Sequence, residues 1–140
     1  HPTACAAGIT GLQTMLEQTL PEQVKEKGSR LRQALQQQFA EHPNVGDVRG
    51  RGLFLGIELV QNKQTKEPLN PNLNLPEQIR HTAMQHGLLC YPMGGTIDGR
   101  RGHHVLLAPP FIINDAELEL IVERLSSTLN AILPALDQAA

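Results

Sequence analysis

Between residues 45 and 60 the apolar pattern changes its period. Leu53, Leu55, Ile57 and Leu59 alternate with Phe54, Gly56 and Glu58. Side chains alternate across a strand, so these two sets lie on opposite faces of one. The segments before and near the end of the chain follow helical spacing instead. Ile9, Leu12, Leu16 and Leu20 recur first, then Val24, Leu31, Leu35 and Phe39; Leu118, Ile121, Val122, Leu125, Leu129 and Ile132 form a last stripe. A strand with one apolar face, set among amphipathic helices, needs a small sheet with helices laid against it.

The remaining punctuation completes this frame. Pro21 interrupts the first helical run, giving two helices or one long bent helix to about Ala40, and His42-Pro43-Asn44 stops it. Residues 61 to 75 are polar and proline-rich and read as a long loop. Pro76 opens a helix that Gly87 closes. Leu88 to Tyr91 and His104 to Leu107 read as short strands, Phe111 to Ile113 as a short extension, and Met93 to Gly102 as a glycine-rich loop. Asn114 and Glu117 have capping-box spacing at the start of the last helix, and Pro134 is expected to end it. The fold class is α+β: a small, mainly antiparallel sheet with helices on one face, preceded by a long linking helix. Residues 1–40 form the linking region and residues 41–140 the domain.

With aromatics at only 3% of 140 residues, the core must be aliphatic. The net charge of -2 mixes both signs and gives no basic stripe for nucleic acid. No apolar run is long enough to span a membrane. Cys5 and Cys90 form no spaced metal or disulfide pattern, and both are expected to be reduced in a cytoplasmic protein. The His1-Pro2-Thr3 start looks like a cut inside a longer chain.

Candidate chemistry is sparse. Lys25, Lys27, Lys63 and Lys66 all fall in polar surroundings, whereas a Schiff-base lysine needs desolvation or a neighbouring cation. His81 and His86 are five apart, and His103 and His104 are adjacent; neither spacing suits a metal site. Two arginine-bearing glycine segments remain. Arg49 and Arg51 flank Gly50, and either pairing with a carboxylate or bonding to loop carbonyls suits them. Arg100 and Arg101 lie between Gly99 and Gly102, which suits either an exposed charged loop or a mobile guanidinium that binds an anionic substrate bidentately.

His1-Pro2-Thr3-Ala4-Cys5-Ala6-Ala7-Gly8, the run from Val48 to Leu59, Thr65-Lys66-Glu67-Pro68, Tyr91-Pro92, Gly94-Gly95-Thr96 and Ala108-Pro109-Pro110 stand in one order. That ordered set resembles the C-terminal small domain of class III aminotransferases of fold type I. The resemblance implies a homodimer, hence a homo-oligomer, that moves an amino group between an amine or amino acid and a keto acid. The implied cofactor is pyridoxal 5'-phosphate, held by a lysine upstream of His1, with none expected on this segment and no activity from it alone. Leu106 stands where relatives acting on acidic keto acids often carry an arginine. Arg101, with Arg100 as the alternative, then becomes the expected carboxylate ligand, and a pyruvate-type acceptor is favoured. His103 follows Gly102 where relatives often have Asp. The isolated segment is expected to self-associate through its first helix. The competing reading is a non-catalytic binding or interaction module that kept only this domain.

Overall fold

The computed structural model describes residues 1–136, with side chains through Leu133. Helix α1 spans Pro2–Glu17 and α2 spans Leu20–Gln38. Thr19, at φ 49°, breaks the run between them, and Pro21 sits in the first turn of α2, where its missing N–H costs nothing. The two-helix reading therefore holds.

The period-two run is a hairpin rather than a single strand. Strand β1 (Val45–Arg51) turns at Gly52-Leu53 into β2 (Phe54–Asn62), and Arg51 pairs with Phe54 across the turn. The expected loop after β2 contains a short strand β3 (Glu67–Pro68) paired to β2, then a 3-10 turn over Pro71–Leu73. Leu69 and Leu75, each 1% exposed or less, pin this polar stretch to the core.

Helix α3 (Leu75–Gln85) closes in a Schellman turn: the Leu88 amide donates to the Ala83 carbonyl and the Gly87 amide to Met84. That closure uses Leu88, so β4 starts later than expected, at Tyr91–Gly94. Strand β5 is His103–Leu107. Phe111 to Ile113 is a turn, not an extension, closed by the Ile113 amide on Pro110. Helix α4 (Asp115–Leu136) has the expected capping box, Asn114 and Glu117 each accepting the other's backbone N–H. It continues through Pro134, because the buried Leu129, Ile132 and Leu133 hold its last turns on the core.

All pairings are antiparallel, in the order β1-β2-β5-β4, with β3 beside β2. One sheet face is covered. Val48, Leu55, Ile57, Leu59, Val105 and Leu107 bury against Leu31 and Leu35 of α2, Ile79 and Ala83 of α3, and Leu125 and Leu129 of α4. The core is aliphatic apart from Phe39. The other face, carrying Arg49, Phe54, Tyr91 and Met93, is exposed. Helix α1 buries no residue, and its Ile9, Leu12 and Leu16 are 58%, 63% and 74% exposed.

Candidate functional site

The uncovered sheet face carries most of the chemistry. Cross-strand register sets Arg49, Gly56, Leu106 and Tyr91 in one row, and Glu58, His104 and Met93 in the next. Arg49 Nη1 donates to Glu58 Oε2 and, at 3.0 Å, to Asp47 Oδ2. Both acids raise the Arg49 pKa. Arg49 is thus engaged by side-chain carboxylates, not by loop carbonyls. His104 Nδ1 lies 2.6 Å from Thr96 Oγ1, which ties the β4–β5 loop to the sheet.

That loop is internally braced. The Ile97 amide donates to the Arg101 carbonyl and the Gly99 amide to Gly95. Asp98 Oδ1 accepts the amides of Arg100 and Arg101, and Oδ2 accepts Arg101 Nε at 2.7 Å. These bonds, led by those from Arg101, pull the Asp98 pKa down to about 2. Asp98 therefore stays ionised, and the brace weakens only as pH falls below the ordinary carboxylate range toward that value. Arg101 carries a carboxylate partner within its own loop, which the sequence reading did not include. The signal was present: an Asp two and three residues before a pair of amides is a common side-chain turn. Arg100 projects into solvent.

Loop and Ala108-Pro109-Pro110 lie at opposite ends of β5. Five strand residues place them about 17 Å apart. Beside the prolines, an apolar recess of ≈ 840 Å³ is lined in part by Phe54, Leu89, Tyr91, Leu106, Pro109 and Pro110. Neither Arg100 nor Arg101 lines it. Leu106 points the same way as Tyr91, so the position that could have carried a fixed arginine is apolar. Cys90 is half-buried, and burial alone pushes its thiol to about 11, which makes it a poor nucleophile.

The lysines do not fit a covalently held aldehyde cofactor. Lys63 Nζ donates to the carbonyls of Phe39 and Ala40, Lys66 Nζ to that of Gly46, and Lys27 Nζ to Gln23 Oε1. Lys25 is exposed on α2. No His, Cys, Asp and Glu group among the described residues could hold a metal ion, and no described helix is long and apolar enough to cross a membrane.

Three histidines have pKa values lowered by the fold. His103 is 3% exposed on the core face, and its Nδ1 has no partner among the described residues. Burial lowers its pKa and those of His42 and His104; Lys63 adds to this at His42, the neighbouring His104 at His103, and Arg49 at His104. A histidine depressed in the fold stabilises it fully above its unfolded value of 6.5, and that stability is lost as pH falls through the folded value. The urea midpoint should therefore drop between about pH 7.5 and about pH 5. His103→Phe should shrink that drop; an unchanged drop would remove His103 from the account.

Residues 1–129 match the family described as Aminotransferase class-III. The chain belongs to the class III aminotransferases. An uncharacterised aminotransferase of Schizosaccharomyces pombe is 44% identical over 97% of this chain, and the uncharacterised aminotransferase YodT of Bacillus subtilis is 35% identical over 94%. In each case the chain spans 30% of the relative's length. Among solved structures, a thermostable (S)-enantioselective omega-transaminase from Thermomicrobium roseum superposes with a TM-score of 0.83 at 31% identity, covering 95% of this chain and 28% of that one. A Bacillus anthracis aminotransferase gives 0.85 at 33% identity, over 94% and 29%. The resemblance read from the ordered motifs is borne out. In this class III aminotransferase chain, the small antiparallel sheet and its helices are the matched part.

Proposed function

We propose that this chain is the C-terminal part of a pyridoxal-phosphate-dependent aminotransferase, with amino transfer to a pyruvate-type keto acid. The observation that carries the amino-transfer reading is the class III match across residues 1–129 together with superposition on aminotransferases; the apolar Leu106 beside Tyr91 supports the pyruvate-type acceptor. The cofactor, when bound in the full-length enzyme, supplies the electron sink for amino transfer. In this reading its lysine comes from the larger share of the protein, because none of the four lysines here is suitably placed. Residues 1–40 act as the linking region, with α2 also serving the core. The exposed α1 stripe of Ile9, Leu12 and Leu16 supports burial against the rest of a cytoplasmic homo-oligomer. Sedimentation of the full-length protein as a monomer would contradict that assembly.

Arg101 is the proposed carboxylate ligand, with Arg100 second. Its bond to Asp98 parks the guanidinium when no acid is bound, and an incoming carboxylate replaces one oxyanion with another. An uncharged amine then leaves the Arg101 guanidinium on Asp98. Losing a charge-assisted bidentate contact costs about 1.5–3 kcal/mol, roughly ten- to hundredfold in binding. Arg101→Ala in the full-length enzyme should raise the apparent constant for pyruvate by that factor and spare simple amine donors. Equal effects on both substrates, or none on either, would make Arg101 structural.

A further inference from the structure

The chain has twelve lysines and arginines. Most are engaged: Lys27, Lys63, Lys66, Arg30, Arg49, Arg80, Arg101 and Arg124 each donate to a carboxylate, amide or carbonyl oxygen. Lys25, Arg32, Arg51 and Arg100 have no side-chain partner among the described residues. Three of those four line one pocket of ≈ 520 Å³ between α2 and the β1–β2 turn. No carboxylate lines it.

The gathering follows from the fold. Lys25, Gly28, Ser29 and Arg32 are spaced three and four apart, so they occupy one face of α2. The turn Gly50-Arg51-Gly52 is pressed onto that face at Gly28, where a side chain would meet the Gly52 carbonyl. Gly50 and Gly52, at φ 146° and 56°, have backbone conformations that suit glycine. Arg51 thereby lines the same pocket as Lys25, Ser29 and Arg32. Like charges brought together without counter-charges repel, and an anion relieves that repulsion.

We propose that this pocket binds a phosphoryl group, distinct from the carboxylate ligand assigned to Arg101. A single arginine satisfies a carboxylate through one bidentate pair. Three cations and a hydroxyl match a dianion with three or more acceptor oxygens. The pocket is larger than an inorganic ion, and Pro21, Val24 and Leu55 give it an apolar wall for an organic substituent.

The test is a titration of the 15N-labelled chain with inorganic phosphate, with ethyl phosphate, and with acetate, at constant ionic strength held by chloride. Saturable amide shifts at Ser29, Gly50 and Gly52 are expected with both phosphates and not with acetate. Tighter binding of ethyl phosphate marks a phosphate ester as the occupant, and tighter binding of inorganic phosphate marks the free ion; either result supports the site. Arg51→Gln and Arg32→Gln, both at exposed positions, should each weaken binding about tenfold. Unshifted core amides, such as those of Ile57 and Val105, would show that the variants remain folded. Shifts that do not saturate, that acetate reproduces, or that neither variant alters would overturn the proposal.

Discussion

Replacing Ile57 by alanine should destabilise the chain by about 2–5 kcal/mol. Ile57 is fully buried in the middle of β2. It pairs with Val48 of β1 on one side and Val105 of β5 on the other, so three strands of the sheet meet at this position. With few aromatics to fill gaps, the surrounding layer is built of leucine, isoleucine and valine on packed helices. Such a layer cannot collapse into the void without moving α2 or α4. A typical domain has only about 5–15 kcal/mol of stability in total, so the loss is a large fraction of it. Urea unfolding should show a lower midpoint with an unchanged slope. A midpoint shift worth less than about 1 kcal/mol would mean that the sheet centre is not the core.

Gly28→Ala should also destabilise, against what helix propensity predicts. Alanine in place of an interior helical glycine is worth about 1 kcal/mol in favour of the variant. Here the new Cβ would fall on the Gly52 carbonyl group and 2.6 Å from the Gly52 Cα. The obstacle is backbone, and that backbone is a glycine turn already held by the β1–β2 pairing, so it cannot give way as a flexible side chain would. Overpacking of this kind costs about 1–3 kcal/mol, occasionally more, and the upper end wins where the chain itself must move. The expected net loss is about 2 kcal/mol. A thermal midpoint above that of the parent would show that α2 and the turn are farther apart than described.

These two sites differ in how readable they were. Ile57 declares itself: strict alternation with Glu58 and Gly56 places it on an apolar face whatever the topology. Gly28 gives no local signal, since its partner Gly52 is brought to it by folding. The hairpin was hidden for a related reason. The alternation of Leu53, Leu55, Ile57 and Leu59 does not extend back to Val48, five residues before Leu53, and Val45–Arg51 carries too few apolar residues to show a strand period of its own. Asn114 and Glu117 were legible because a capping box is wholly local. Pro134 was misleading because packing of Ile132 and Leu133 overrides a local breaker. At the candidate site, Arg100 and Arg101 stood out by their flanking glycines. Their surroundings did not: Asp98 was a missed local cue, whereas the His104–Thr96 tie and the cluster of Lys25, Arg32 and Arg51 depend on register between separate segments.

In the proposed function this chain serves substrate and stability, and the lysine of the chemistry lies in the rest of the enzyme. The most direct measurement is amino transfer from an amine to pyruvate by the full-length protein carrying Lys25→Arg, Lys27→Arg, Lys63→Arg or Lys66→Arg, one at a time. Arginine preserves the charge and the donor role toward carbonyls, but it cannot hold an aldehyde cofactor as a lysine does. Each variant should keep its absorbance from bound cofactor and its turnover within a few-fold of the parent. Loss of both in a folded protein on changing any one of the four would contradict the claim.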